Sequence, residues 1–132
     1  MQFKIDTKEK FTVLTPQEGV LYDNMAAEIA AGLEKYLLSP GCNIILNLKN
    51  ISEIEAKTAD AIAGLQQKFY EGNLSFVICE INGKLETQFE KLDLLDYLNI
   101  TPSESEAWDI VQMEEIEREL LDNGDEITFN AE

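Results

Sequence analysis

The chain contains no histidine. Imidazole is the usual proton shuttle near neutral pH and the partner of most serine and cysteine nucleophiles, so Ser-His pairs, Cys-His pairs and ordinary zinc sites are excluded. Cysteine is almost as scarce: Cys42 and Cys79 stand apart at the edges of apolar runs, without CxxC spacing or the density of a disulfide-stapled scaffold. Both are expected to be small core residues. Long hydrophobic runs are missing too. "IIL" at 44–46 and "FVI" at 76–78 fall far short of the roughly 18 residues that span a bilayer. The opening "MQFKIDTKEKF" alternates apolar and polar residues and lacks the apolar block of a signal peptide, so a cytoplasmic location is expected. No GxGxxG or GxxxxGK[ST] loop occurs to cradle phosphate, and no cofactor or metal is expected.

Positive charge is the remaining scarcity. Ten Lys and Arg face 26 Asp and Glu, for a net charge of −16. Residues 93–132 hold 13 acids and one base, Arg118, for −12, which leaves −4 for residues 1–92. Such a field repels phosphate backbones and anionic headgroups, so neither nucleic acid binding nor membrane insertion is expected; a basic protein surface fits better. Lys4, Lys8, Lys10, Lys49 and Lys57 would form a mildly basic patch if folding placed them on one side.

What the chain does hold is a regular succession of strand and helix signals. At 132 residues and 45% apolar it suits one compact core. "FKI" at 3–5 and "FTVL" at 11–14 flank a polar turn and predict a hairpin. After Asp23 or Asn24, either a good N-cap, Met25, Ile29, Leu33 and Leu37 recur at helical spacing until "SPG" at 39–41. "NIILNL" at 43–48 is apolar nearly throughout, the pattern of a strand covered on both faces. A helix over 58–71 follows, with Ala59, Ile62, Ala63, Phe69 and Tyr70 on one side and Gly72-Asn73 as its break. Then come a strand in "LSFVIC" (74–79), a short helix around Leu85, Phe89 and Leu92, and a short strand in "YLNI" (97–100). "TPSE" at 101–104 predicts a capping box, with Thr101 as N-cap, Pro102 at N1 and Glu104 at N3 of a helix reaching about Leu121, where "DNGD" ends it. The order predicts an α/β domain: a mixed sheet of about five strands with about four helices, plus an extended C-terminal helix.

The junction "NLKNISEIEAKTADAIAGLQ" (47–66) draws most interest. A helix that starts directly after a central strand exposes its first N–H groups at the carboxyl edge of the sheet, where ligands of open α/β sheets bind. Thr58 is expected as N-cap, with Asp60 in the first turn. An enzyme without histidine would have to use carboxylates or Lys57, but neighbouring Glu55 and Asp60 favour the charged ammonium and no apolar pocket surrounds it in the pattern. Catalysis is therefore not expected.

The stretch "NIILNLKNISEIEAKTADAIAGLQQKFYEGNLSFVIC" resembles the core of a STAS domain, the fold of bacterial anti-sigma-factor antagonists, and "LDLLDYLNITPSESEAWDIV" is similar to the family's closing leucine-rich turn, strand and capped helix. The resemblance covers residues 1 to about 112. It implies a cytoplasmic, non-enzymatic module that binds a regulatory protein: a serine-kinase-like anti-sigma factor or a signalling ATPase. The alternative is the STAS-type subunit of a transport ATPase complex or, less readily, a small lysine- or carboxylate-dependent enzyme. Ile51 and Ile54 match the two hydrophobics that precede the family's Asp-Ser-Ser-Gly, onto which fall Glu55, Ala56, Lys57 and Thr58. By the resemblance, the partner-binding residues are Glu55, Ala56, Lys57, Thr58, Ala59 and Asp60. Lys57 occupies the place of the regulatory phosphoserine, so the switch is expected to be lost; Thr58 is the alternative, displaced phosphoacceptor. Asn47, where aspartate is common, departs further from the pattern.

Past Val111 the chain continues as "MEEIERELLDNGDEITFNAE", which divides it into a STAS-like domain at 1–112 and an acidic helix extension and tail at 113–132. Met113, Ile116 and Leu120 form a narrow apolar stripe among glutamates. It is expected to pack on its own domain; otherwise it pairs two copies as a homodimer or docks a basic partner. "EITFN" at 126–130 alternates well enough for an edge strand, or stays disordered.

Overall fold

A hairpin opens the chain in the computed structural model, which describes residues 1–38 and 41–122. β1 (Phe3–Thr7) and β2 (Phe11–Pro16) run antiparallel, with Phe3 opposite Pro16 and Thr7 opposite Thr12. β2 is buried along its length, whereas β1 is an edge whose exposed positions carry Lys4 and Asp6, charges that discourage further strand addition. β4 (Asn43–Asn47), β6 (Phe76–Cys79) and β7 (Ile100–Thr101) then add in parallel, giving a five-stranded mixed sheet in the order β1-β2-β4-β6-β7. A second pair, β3 (Val20–Leu21) with β5 (Glu53–Ile54), runs parallel outside this sheet. At two residues each, these strands leave no periodic signal in the sequence.

Among the described residues four helices cover the sheet: α1 (Ala26–Glu34), α2 (Ala56–Glu71), α3 (Gly83–Lys91) and α4 (Glu104–Asp122). Short 3-10 turns at Asp23–Met25 and Lys35–Leu37 flank α1. The continuous apolar run of β4 has a simple cause, since successive side chains of a strand point to opposite faces. Ile44 and Leu46 join the core formed with Ile29, Leu33, Ile62, Phe69, Leu85 and Phe89, beneath α1, α2 and α3. Ile45 turns the other way, to Phe11, Val13, Val77, Cys79, Ala107 and Val111 beneath α4. Both cores carry a tilted aromatic pair with centroids 5.3 Å apart, Phe69 with Phe76 and Phe11 with Trp108.

Neither Asp23 nor Asn24 caps the first helix: Tyr22 is the N-cap residue of the 3-10 turn and Met25 that of α1, both without a side-chain cap. α2 breaks at Gly72-Asn73 as expected, with Asn73 (φ 62°) in the left-handed conformation and the Leu74 N–H donating back to the Phe69 carbonyl at 2.8 Å. The closing strand is not "YLNI". The N–H groups of Tyr97 and Leu98 still turn back to the Leu94 carbonyl, and β7 is Ile100–Thr101. Thr101 therefore pairs with Cys79 in the sheet and is no cap. α4 starts two residues later than "TPSE" indicates: the Glu106 N–H donates to Ser103 Oγ at 3.3 Å, so Ser103 is the cap, and its hydroxyl donates to Glu106 Oε1 at 3.3 Å. Sheet pairing has claimed the first of two adjacent cap sequences.

The extension also corrects an expectation. α4 passes residue 112 without a break, and Met113, Ile116 and Leu120 are 61%, 56% and 51% exposed rather than packed on the domain. At about 100° per residue these three lie opposite Ala107, Val111, Glu114, Glu115 and Arg118 on the helix circumference. The inward face is held by polar groups at the amino edge of the sheet. Asn43 Nδ2 donates to Glu115 Oε2 at 2.6 Å, Ser75 Oγ to Glu114 Oε1 at 2.6 Å and Tyr70 OH to Glu114 Oε1 at 2.7 Å. Arg118 donates to Asn43 Oδ1, Ser75 Oγ and Glu115 Oε2 at 3.1, 3.0 and 3.2 Å. Buried polar groups demand partners, and here they turn the glutamates inward and the stripe outward. Ser39, Pro40, "NGD" at 123–125 and "EITFN" at 126–130 lie outside the described residues.

Candidate functional site

β5 ends at Ile54, and its pairing with β3 sets the start of α2 beside the segment that leads into α1. Glu55 is the N-cap residue, extended at φ −95° and ψ 160°, and its own side chain does not cap α2. The unpaired N–H groups of the first turn find partners across the chain. The Lys57 N–H donates to Asp23 Oδ1 at 2.8 Å, while the Asp23 N–H donates to Glu55 Oε1 at 2.8 Å. Each carboxylate thus satisfies the other segment's backbone donor, and negative charge meets the positive end of both helical starts. The Glu55 N–H donates to the Leu21 carbonyl at 2.8 Å, and Thr58 Oγ1 donates to the Tyr22 carbonyl at 2.5 Å. Four hydrogen bonds join the two segments.

Thr58 is therefore the third residue of the helix and not its cap, and Asp60 falls in the second turn. Of the six residues expected at this corner, Glu55, Ala56, Lys57 and Asp60 are exposed, whereas Thr58 and Ala59 have no exposed surface. Among the described residues no carboxylate lies within ion-pair distance of the Lys57 ammonium, so its charge is presented to solvent. Tyr22, 49% exposed, and Asp23 complete the rim. Sequence reasoning missed both, because it assigned Asp23 to capping its own helix. The signal lay in "YDN", a turn cluster next to a two-residue strand too short to be seen.

Two other places hold concentrated chemistry. Cys79 Sγ and carboxylate oxygens of Glu80 and Glu104 lie within 4.8 Å of one another at the carboxyl edge of the sheet. Burial first, then the Glu80 and Glu104 carboxylates, pushes the Cys79 thiol up to about 12, so in the absence of a cation it keeps its proton at neutral pH. Glu80 already accepts the Glu104 N–H at 3.1 Å, and Glu104 accepts from Asn47 Nδ2 at 2.9 Å. Cys42 is half-buried and, like Cys79, a free thiol. A depression of about 550 Å³ near the end of α2 is lined by Gln66, Tyr70, Tyr97, Asn99 and Glu114 among others. Its polar groups serve one another: Gln66 Nε2 donates to the Tyr97 carbonyl at 3.0 Å, and the Asn99 N–H donates to Gln66 Oε1 at 2.8 Å. Burial first, with the bond to Glu114, raises the Tyr70 phenol.

Comparison with known proteins agrees with this fold. A candidate anti-sigma factor antagonist from Thermotoga maritima superposes with a TM-score of 0.74 at 21% identity, over 83% of this chain and 94% of that one. The Bacillus cell fate determinant SpoIIAA in its phosphorylated form gives 0.63 at 16% identity, over 83% and 99%. The murine Solute Carrier 26 family member A9 anion transporter gives 0.69 at 13% identity, over 82% of this chain and 18% of that one. These likenesses are of fold. A search of the curated proteins found no match. Among the described residues no helix is long and apolar enough to cross a membrane. The STAS domain family model matches residues 2–107, which takes in the sheet, the corner at the start of α2 and the first turn of α4, and the chain belongs to the STAS domain family.

Proposed function

We propose that this STAS domain is a non-enzymatic regulatory module that docks a signalling protein on the exposed corner formed by Glu55, Ala56, Lys57 and Asp60, with Tyr22 and Asp23 beside it. The observation that carries the reading is the Lys57 side chain: an exposed lysine with no ion-pair partner among the described residues, at a helix start held by four hydrogen bonds. Rigidity limits the conformational entropy lost on association, and a fixed charge selects an acidic patch on the partner. The partner class follows from the family resemblance, an anti-sigma factor of serine-kinase type or a related ATPase. Docking here is constitutive. Complete burial of Thr58 and the commitment of its hydroxyl to Tyr22 speak against a phosphoacceptor at that residue. A STAS subunit of a transport complex would use the same corner, and the likeness to transporter domains favours keeping it as the second reading.

The test is affinity capture from the source cell with the wild type and with Lys57→Glu, the bound proteins being identified by mass spectrometry. A regulatory ATPase or anti-sigma factor retained by the wild type, and retained about tenfold less or worse by the variant, is the expected result. Equal retention removes the corner from the interface. A membrane transporter subunit in place of the regulator selects the second reading.

A further inference from the structure

We propose that the outward face of α4, built on Met113, Ile116 and Leu120, docks an amphipathic helix of a partner protein whose flanks are rich in Lys and Arg. The spacing i, i+3, i+7 repeats the a–d–a positions of a heptad, the pattern a second helix fills. All three side chains are more than half exposed. The opposite face of α4 is occupied: Ala107 and Val111 are fully buried, and Arg118 is turned inward onto Asn43, Ser75 and Glu115. The helix is therefore fixed in rotation, and the stripe cannot be covered by rolling it onto the sheet.

Charge decides the occupant. Arg118 is the one base among residues 93–132, a stretch of net charge −12, and it is spent inward, so exposed Glu117 and Glu119 flank the stripe. A second copy would set acid against acid along the whole seam, which disfavours self-pairing. Next to Ile116 lies a cleft of about 230 Å³ at the hairpin turn, lined by Glu9, Glu115 and Glu119; Lys10 lies 3.8 Å from Glu119 and Arg118, behind the lining, 3.2 Å from Glu115, so three carboxylates meet two cations. An apolar ridge beside a cleft with an excess of carboxylates matches a helix that carries Leu or Ile on one face and a Lys or Arg able to enter the cleft. The surface lies on the face of the sheet opposite α2, so the inference stands independently of the corner.

The experiment uses the full chain and fluorescently labelled synthetic peptides of about 21 residues, with Leu at heptad positions a and d and either Lys or Glu at e and g. Anisotropy titrations are made with wild type, with Met113→Gln/Ile116→Gln/Leu120→Gln, and with Lys57→Glu. Glutamine keeps helix propensity and net charge, and circular dichroism checks the fold; should the triple variant unfold, Ile116→Gln alone replaces it. We expect the Lys-flanked peptide to bind the wild type and Lys57→Glu alike, to bind the glutamine variant at least tenfold more weakly, and to lose affinity as salt rises, while the Glu-flanked peptide does not bind. Absence of binding to the wild type overturns the proposal. So does equal binding to the glutamine variant, which would mean attraction by charge alone, or binding to Lys57→Glu that is clearly tighter than to the wild type, which would place the cationic peptide at the corner. A wild-type dimer in sedimentation velocity that the glutamine variant dissociates overturns it in favour of a second copy.

Discussion

At residue 58 a buried hydroxyl forms part of the wall between two segments. It donates to the Tyr22 carbonyl, which also accepts the Met25 N–H at 2.9 Å. Thr58→Val keeps the shape and removes the donor, leaving that carbonyl one partner. The expected loss is that of one net hydrogen bond, about 0.5–1.5 kcal/mol, read as a lower urea midpoint at unchanged m. An unchanged midpoint would mean that the bond contributes nothing to stability. Lys57, one residue earlier, points its charge to solvent while its backbone N–H is capped by Asp23. A local rule looks for a Ser, Thr, Asp or Asn just ahead of the helix, and so it selected Thr58; the actual cap comes from a carboxylate 34 residues away, which no local pattern reveals. The exposure of Glu55, Lys57 and Asp60 was legible from their charge, and the burial of Thr58 was not.

Elements show the same division between what periodicity reveals and what tertiary partners decide. The four helices and the main strands were readable, because apolar spacing of 3.6 or an unbroken apolar run survives in the sequence. The rotation of α4 was not, because Asn43 at the start of β4 and Ser75 just ahead of β6 set it. Burial alone would push the Glu115 carboxyl up, but the Asn43 amide and the Arg118 guanidinium, with Lys10 nearby, more than offset it, and its pKa lies below the ordinary value. A depressed carboxylate contributes stability that is fully present above its unfolded value of about 4.3 and is lost as pH falls through the folded value. Arg118→Met removes the cation while keeping the aliphatic stem, and is expected to lower stability by about 1–3 kcal/mol at pH 7, since the partly buried Glu115 carboxylate, Asn43 Oδ1 and Ser75 Oγ lose a charged donor. Urea titrations repeated below pH 4 should show the gap between variant and wild type narrowing. A gap independent of pH would assign the effect to lost packing of the side chain.

For the whole molecule, 26 acids against ten bases place a net −16 on a chain of 132 residues, and that excess repels itself more strongly in the compact state than in the unfolded one. Salt therefore acts on stability through two opposed effects. It weakens surface pairs such as Lys68–Glu34 and Lys84–Glu53, at 2.7 and 2.9 Å, but exposed pairs contribute no more than about 1 kcal/mol each. It also shortens the Debye length, from about 30 Å at 0.01 M to about 8 Å at 0.15 M, which screens the many like-charge repulsions that span the domain. Repulsion has the larger number of terms, so Tm should rise with NaCl over this range, by about 3–6 °C if the relief amounts to about 1 kcal/mol. Binding of a basic helix to α4 must respond in the opposite direction, because the same screening weakens attraction between unlike charges. Melting curves and peptide titrations over one salt series thus provide a paired check, stability climbing while affinity falls. A Tm that drops with NaCl would show that the few ion pairs outweigh the excess of carboxylates, and that the acidic surface is organised by local pairs and not by its net field.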